Sequence, residues 1–174
     1  PDNVELIFRN SNVLKDLTFI NLDVDSYDLE IIDNILKSDF KPDIVSIEIN
    51  EKIPPPIYFS VVYNHNHFWE GDHFYGCSLT AANEVFSSHN YILGEFKLNN
   101  AIFVNYQKFP NVTKKNIEEA YSDGYKNVEN RKELFKYNHD VEELLQMSPR
   151  QSIEFIDNLF KKYKGMYELR IVDN

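Results

Sequence analysis

The stretch that decides the fold is Phe19-Ile20-Asn21-Leu22-Asp23-Val24-Asp25-Ser26-Tyr27-Asp28-Leu29-Glu30, an apolar run that ends in acidic residues. Residues 17–24 are mostly β-branched, aromatic or aliphatic, which predicts a strand buried on both faces. From there the apolar spacing changes to one that predicts a helix over residues 27–38. The acids Asp23, Asp25 and Asp28 should therefore lie at the carboxyl end of a strand, where open α/β sheets bind ligands. The alternative is that Asp25 or Ser26 only caps the helix.

A second strand is predicted over residues 44–50, after a break at Lys41-Pro42-Asp43. Together with the first strand and the helix it forms a β-α-β unit, in which the two strands should be parallel. This strand also ends in polar residues, Glu48 and Asn50. Because carboxyl ends of parallel strands share one edge of a sheet, both side chains are expected beside Asp23 and Asp25.

The rest of the chain divides into two parts. Residues 51–78 read as one long irregular segment rich in aromatics and histidines, and such loops are usually functional. A helix over residues 79–89 and a β-hairpin near residues 91–106 complete an α/β domain at 1–109. Residues 110–174 form a helical appendage in which Ser148 begins a helix and residues 166–172 could be a short strand. A helix over 2–10 with Asp2 as its cap precedes the first strand.

Charge and cysteine content exclude several classes of partner. Acidic residues outnumber basic ones 28 to 18, which gives a net charge of −10. Nucleic acids and anionic membranes bind preferentially to positively charged surfaces, so we expect neither as a partner. The lone Cys77 excludes an intramolecular disulfide and is typical of a reducing compartment. No apolar run approaches the ~20 residues of a membrane span. These features predict a cytoplasmic protein.

Five motifs in order resemble one known family. Leu-Asp-Val-Asp-Ser-Tyr-Asp at 22–28 is similar to the Ile-Asp-Ile-Asp-Gly-Asn-Asp motif of a group of Rossmann-like methyltransferases, and to the Ile-Asp-Val-Glu-Gly motif of FkbM-type enzymes. The segments at 45–50, 74–79, 90–93 and 99–104 resemble the Val-Ile-Glu-Tyr-Asn, Tyr-Tyr-Gly-Ala-Ser-Leu, Gly-Tyr-Xaa-Leu and Asn-Ala-Phe-Phe-Val motifs of the same group. The resemblance covers roughly residues 1–106.

The resemblance implies a partial Rossmann-like methyltransferase sheet that corresponds to the C-terminal half of that fold. It also implies S-adenosylmethionine (SAM) as cofactor and a small-molecule or glycan acceptor. Two departures stand out: Ser26 replaces a glycine of the motif, and the chain contains no Gly-x-Gly. Since a glycine-rich turn after the first strand normally receives such a cofactor, an N-terminal half would have to supply the SAM site.

The candidate catalytic residues are Asp23, Asp25 and Glu48. Paired carboxylates can bind a hard divalent cation or deprotonate a substrate hydroxyl, and the resemblance places the two aspartates beside the methyl acceptor. The candidate substrate-binding residues are Asp28, Asn50, His65, His67, Tyr75 and Gly76. The two histidines, with His73 or Asp72, could instead form a metal site, or they could be polar rings on a surface loop. Cys77 reads as a small buried residue and not as a nucleophile.

Three functions therefore stay open. The first is methyl transfer from SAM to a hydroxyl or amine, and the second is a non-catalytic interaction module that retains half of the fold. The third is a metal-dependent hydrolase-like site. Because half a sheet leaves an uncovered edge, residues near 17–24 are also expected to contact a second copy, an N-terminal half or the helices at 113–164.

Overall fold

The computed structural model describes residues 1–172 as a mixed α/β structure with six strands and six α-helices. The strands are β1 (Phe19–Leu22), β2 (Ile44–Glu48), β3 (Ile57–Val61), β4 (Tyr91–Lys97), β5 (Asn100–Asn105) and β6 (Tyr167–Ile171). The helices are α1 (Val4–Asn10), α2 (Asp28–Lys37), α3 (Leu79–Ser88), α4 (Ile117–Tyr121), α5 (Arg131–Leu134) and α6 (Pro149–Leu159). A π-helical turn, Ser122–Lys126, follows α4, and short 3₁₀ turns cover Lys136–Asn138, Glu142–Gln146 and Lys161–Tyr163.

The main sheet has four strands in the order β1-β2-β5-β4. Strands β1 and β2 are parallel and are joined through α2, which confirms the predicted β-α-β unit. Strands β4 and β5 form the predicted antiparallel hairpin, and β5 lies antiparallel against β2. The register pairs Leu22 with Ile47, so the residues that follow, Asp23 and Glu48, leave the sheet side by side.

The first strand differs from its prediction. It is shorter than residues 17–24 and lies at the edge of the sheet, paired with β2 alone among the described strands. Its side chains alternate between half-buried and exposed, and Phe19 is 53% exposed, because one face of the strand packs on the core while the other faces solvent. The prediction of a strand buried on both faces was therefore wrong.

A second sheet arises within the segment that was predicted to be irregular. Strand β3 lies inside residues 51–78 and pairs antiparallel with β6, at Ile57↔Ile171 through Val61↔Tyr167. The predicted long loop is thus shorter than 51–78. The predicted strand at 166–172 is confirmed as β6. Its pairing with β3 connects the predicted helical appendage, residues 110–174, to the predicted α/β domain, residues 1–109.

The predicted start of α6 at Ser148 is confirmed, because Ser148 forms a full capping box with Gln151. Ser78 caps α3 and accepts a hydrogen bond from the Ala81 amide. Helix α1 has no side-chain cap, so the predicted role of Asp2 was wrong. Helix α2 also has no side-chain cap, and its N-cap residue is Tyr27. The alternative interpretation that Asp25 or Ser26 only caps this helix was therefore wrong.

Two hydrophobic clusters hold the fold together. The larger one lies between the main sheet and helices α2, α3 and α4, with Phe86 stacked on Phe103 at 3.9 Å between ring centroids. The smaller one lies between the second sheet and α6. It includes Phe74, from the segment after β3, whose ring stacks on that of Tyr163 with 3.9 Å between the ring centroids. Helix α6 therefore packs on β3 and β6. The helices at 113–164 were one of three covers expected for residues 17–24, and the main contacts of α6 are with the second sheet instead.

The π-helical turn touches the β4–β5 hairpin through a glycine. The Gly124 carbonyl accepts a hydrogen bond from the Leu98 amide at 2.8 Å. A Cβ atom on Gly124 would lie 2.2 Å from the Phe96 carbonyl oxygen, so this approach of two backbones requires glycine.

Candidate functional site

Three carboxylates converge where β1 and β2 end. One oxygen from each of Asp23, Asp25 and Glu48 can be chosen so that all three lie within 4.8 Å of one another. The parallel register explains this proximity. Leu22 pairs with Ile47, and Asp23 and Glu48 are the residues that directly follow this pair. The sequence thus predicted the cluster correctly from two strand ends.

The turn that carries Asp25 is fixed by a buried carboxylate. Asp28 is 1% exposed and accepts hydrogen bonds from the amides of Val24 (3.0 Å) and Ser26 (3.2 Å). Asp25 itself adopts a left-handed backbone with φ +56°, a conformation that Asp tolerates better than most residues. Burial raises the pKa of Asp28. Asp28 was a candidate substrate-binding residue, and the structure places its side chain against its own turn.

Glu48 is the most perturbed acid of the cluster. Its Oε1 accepts a hydrogen bond from the Asn99 side-chain amide at 2.9 Å, whereas its Oε2 is buried without a partner. Burial, followed by repulsion from Asp23 and Asp28, raises the pKa of Glu48 to about 7. Such a carboxyl can both hold and release a proton near neutral pH.

A cavity of about 530 Å³ opens beside these acids, within the range of small-molecule sites. Its walls combine carboxylates, aromatic rings and one histidine. The lining residues are Asp25, Glu48, Trp69, Gly71, Asp72, His73, Tyr75, Tyr137 and Asp140. Trp69 and Tyr75 meet edge to face with ring centroids 5.8 Å apart, and His73 Nε2 lies 3.0 Å from Asp140 Oδ1.

A buried ion pair lies behind Tyr75. Lys52 is 2% exposed, and its Nζ lies 3.8 Å from Oε1 of the fully buried Glu51. The Tyr75 hydroxyl donates to Glu51 Oε2 at 2.9 Å and accepts from Lys52 Nζ at 3.1 Å. Asn138 also donates to Glu51, at 2.6 Å. Burial lowers the pKa of Lys52 and raises that of Tyr75. The network fixes the position of the Tyr75 ring in the cavity wall.

The predicted substrate-binding residues after β2 have structural partners. Asn50 is buried, donates to the carbonyls of His73 (3.0 Å) and Tyr75 (2.9 Å), and accepts from Lys52 (3.1 Å). It thereby holds the segment that forms one wall. Gly76 takes φ +59°, and its amide donates to the Ser26 carbonyl, which ties this segment to the acidic turn. Of this group only Tyr75 lines the cavity.

The histidines separate into different environments. His65 is exposed, and the His67 ring packs against Phe74 and Tyr163 at centroid distances of 5.5 and 5.3 Å. Neither residue lines the cavity, and neither belongs to the metal-compatible group found among residues 1–172. His73, by contrast, lies in the cavity wall. Cys77 is fully buried, and burial raises the pKa of its thiol, as expected for a packing residue.

Sequence reasoning missed four residues of this region. Tyr137 lies in a 3₁₀ turn and Asp140 lies two residues beyond its end, about ninety positions after Glu48, and no periodic signal marks either residue. Glu51 and Lys52 directly follow the second motif. Two adjacent opposite charges beside an otherwise apolar strand could have indicated a buried pair.

Comparison of the chain with protein-family models, curated proteins and solved structures found no match in any of the three. Within residues 1–172, every helix is too short or too polar to cross a lipid bilayer. The chemistry of the site therefore has to be argued from its own residues. The site combines carboxylates with a cavity lined in part by aromatic rings, and the pKa of one carboxyl, Glu48, is raised to about 7. This combination suits ligand binding together with proton transfer.

The raised pKa of Glu48 predicts a pH-dependent stability. In the unfolded chain Glu48 titrates near its usual 4.5, so between pH 4.5 and about 7 the folded state binds more protons. The stabilisation is full below pH 4.5 and is lost as pH rises through 7. We expect the wild-type free energy of unfolding to fall from pH 5 to pH 8 by about 1–2 kcal/mol more than that of Glu48→Gln, allowing for solvent screening.

Urea denaturation at both pH values measures this difference. Glu129→Gln, at an exposed position, serves as the control and should keep the wild-type slope. Equal slopes in wild type and Glu48→Gln would contradict a raised pKa at Glu48.

Proposed function

We propose that this chain is the acceptor-binding part of a Rossmann-like, SAM-dependent methyltransferase. The observation that carries the proposal is the position of Glu48, whose buried oxygen and pKa of about 7 place a proton acceptor in the wall of a ligand-sized cavity. The two parallel strands followed by a hairpin are the elements that the motif resemblance implies. The acceptor would be a small molecule or glycan that carries a hydroxyl or amine.

Each acid would have a separate role. Asp25, held by the turn around Asp28, would orient the acceptor at the cavity entrance. Glu48 would take the proton from the acceptor heteroatom, because its pKa lies near the pH at which it works. Asp23 keeps that pKa raised through charge repulsion. His73, paired with Asp140, would complete the polar side of the cavity.

We infer that the SAM site of the proposed enzyme lies outside the described residues. The turn between β1 and α2 contains no glycine and carries two exposed acids. Gly71 and Gly76 both adopt positive φ, but they lie in the segment after β3 and not in a turn from a strand into a helix. SAM would supply an electrophilic methyl group, and another polypeptide segment would have to hold it.

Methyl transfer from radiolabelled SAM to a metabolite or glycan extract tests the proposal, using the chain within its native polypeptide and any partner that co-purifies with it. Glu48→Gln keeps the shape and the Asn99 contact but cannot take a proton. We expect its transfer rate to fall about 10²–10⁴-fold. Glu129→Gln should transfer at the wild-type rate. Transfer that survives unchanged in Glu48→Gln would remove the proposed role.

The 174-residue chain alone provides a second readout. Calorimetry with SAM should show no micromolar binding, which would correspond to about −8 kcal/mol. Micromolar binding by this chain would show that it builds a cofactor site from residues other than a glycine-rich turn.

A different observation favours the non-catalytic alternative, an interaction module. Large apolar side chains are exposed near the open edge of β1 and in the segments that precede and follow it. They are Leu6 (57%), Ile7 (57%), Leu14 (75%), Phe19 (53%) and Val24 (45%). Exposed apolar surface beside a free strand edge is typical of association sites. A wild-type dimer that becomes monomeric in Phe19→Lys, measured by light scattering, would favour this second function.

A further inference from the structure

The charges of the cavity wall are predominantly negative. Four carboxyl groups line it, and no lysine or arginine is among the described residues that do so. Two of the four already have partners: Asp72 is paired with Lys162 at 3.0 Å, and Asp140 with His73 at 3.0 Å. Asp25 and Glu48, together with Asp23 beside them, take part in no ion pair within residues 1–172.

Aromatic side chains line the same cavity. Trp69 and Tyr137 are 41% and 52% exposed, which is high for large rings beside a cavity, and Tyr75 lies between them and the buried network. Aromatic faces attract cations, most strongly where water is partly excluded. A cavity that combines such faces with uncompensated carboxylates therefore favours an organic cation over a neutral or anionic ligand.

The chain already places one ammonium group against these rings. The Lys52 Nζ lies 4.2 Å from the centroid of the Tyr75 ring and 6.0 Å from that of Tyr137. It is paired with Glu51, and it also interacts electrostatically with Glu48, so it compensates the acidic cluster only in part. The same rings can accept a second ammonium group from the cavity side, where Asp25 and Glu48 supply the counter-charge.

A hydrated metal ion fits the cavity less well. Mg²⁺ and Ca²⁺ bind oxygen ligands and gain little from aromatic walls. The aromatic walls therefore separate an organic cation from a divalent cation at the same acids.

We propose that the cavity recognises a small organic ammonium ion, so that the acceptor of this domain is an amine. This inference rests on the proposed function for its link to methyl transfer, but not for binding itself. The ammonium would lie between Asp25 and the rings of Trp69 and Tyr137. Its proton would pass to Glu48 and leave a neutral amine.

Fluorescence tests the proposal directly, because Trp69 is the single tryptophan of the chain and lines the cavity. Three probes share a phenyl ring of the same size and carry one polar group of different charge: benzylamine, which is cationic at pH 7.5, benzyl alcohol, which is neutral, and benzoate, which is anionic. We expect benzylamine to change the Trp69 emission with a Kd at least tenfold lower than that of benzyl alcohol, and benzoate to give no saturable change. Tetramethylammonium should compete with benzylamine.

Two variants locate the site, and one serves as control. Asp25→Asn keeps the left-handed turn but removes a charge, and Tyr137→Leu removes an exposed aromatic face. Each should raise the benzylamine Kd about fivefold or more. Glu129→Gln removes an exposed charge that does not line the cavity and should leave the Kd unchanged. Circular dichroism of each variant confirms that it is folded.

The possible results separate the two proposals. Equal binding of benzylamine and benzyl alcohol, tighter binding of benzoate, or Mg²⁺ binding at the acids without benzylamine binding would each overturn the amine inference. Benzylamine binding without methyl transfer in the native polypeptide would support the inference and overturn the methyltransferase function. Methyl transfer to hydroxyl acceptors without amine binding would support the methyltransferase function and overturn the amine inference.

Discussion

Replacing Lys52 by methionine is expected to lower the free energy of unfolding by about 3–5 kcal/mol, because it leaves the fully buried Glu51 without its cation. Methionine matches the length of the lysine stem, so the loss of the charge dominates over the loss of packing. Glu51 would keep the donors Tyr75 and Asn138, which place the expected loss toward the lower end of this range. Urea denaturation measures the change.

Two further variants show whether the buried charge is the cause. Lys126→Met, at an exposed position without an ion pair among residues 1–172, should change stability by no more than about 0.5 kcal/mol. The double variant Glu51→Gln/Lys52→Met removes both charges and should recover a large part of the loss, since the two residues are coupled. A Lys52→Met protein as stable as Lys126→Met would contradict the buried pair.

Gly124→Ala is the second substitution with a large expected effect. The added Cβ would meet the carbonyl oxygen of Phe96 at 2.2 Å and its carbonyl carbon at 2.9 Å, and both atoms belong to backbone that cannot rotate away. The π-helical turn and the β4–β5 hairpin would have to separate, which would break the hydrogen bond from Leu98 to Gly124. We expect a loss of about 3 kcal/mol or more in the free energy of unfolding.

Gly94→Ala is the matched control for this substitution. A Cβ on Gly94 meets its nearest neighbours at 3.6 Å, which is ordinary van der Waals contact. The same chemical change should therefore cost less than about 1 kcal/mol at this position. If thermal or urea denaturation gives equal losses for the two variants, the close approach at Gly124 does not limit stability.

The elements that the sequence predicted are those whose signal is local. Helix α2, strand β2 and the β4–β5 hairpin each carry their own periodicity or turn, and the structure confirms all three. Strand β3 was missed because β6, with which it pairs, lies about 110 residues further along the chain. The burial of β1 was misjudged for a related reason: an apolar run does not reveal whether both faces of a strand are covered.

The candidate site was likewise predicted only in part. Asp23, Asp25 and Glu48 were found because two strand ends in one parallel unit must lie side by side. The aromatic wall from Tyr137 and the pair formed by Glu51 and Lys52 depend on how a distant, polar segment folds back over the acids. No spacing rule connects these residues, so their contribution emerges only from the tertiary structure.

The turn around Asp28 has a consequence for how this site can change during evolution. Asp28 holds the turn through the backbone amides of Val24 and Ser26, which every residue type except proline supplies, so the turn does not depend on the side chains at positions 24 and 26. Position 25 needs only a residue that tolerates a left-handed backbone, such as aspartate, asparagine or glycine. The proposed ligand contact at Asp25 and the integrity of the turn thus depend on different side chains of one short loop, which lets selection alter one while preserving the other.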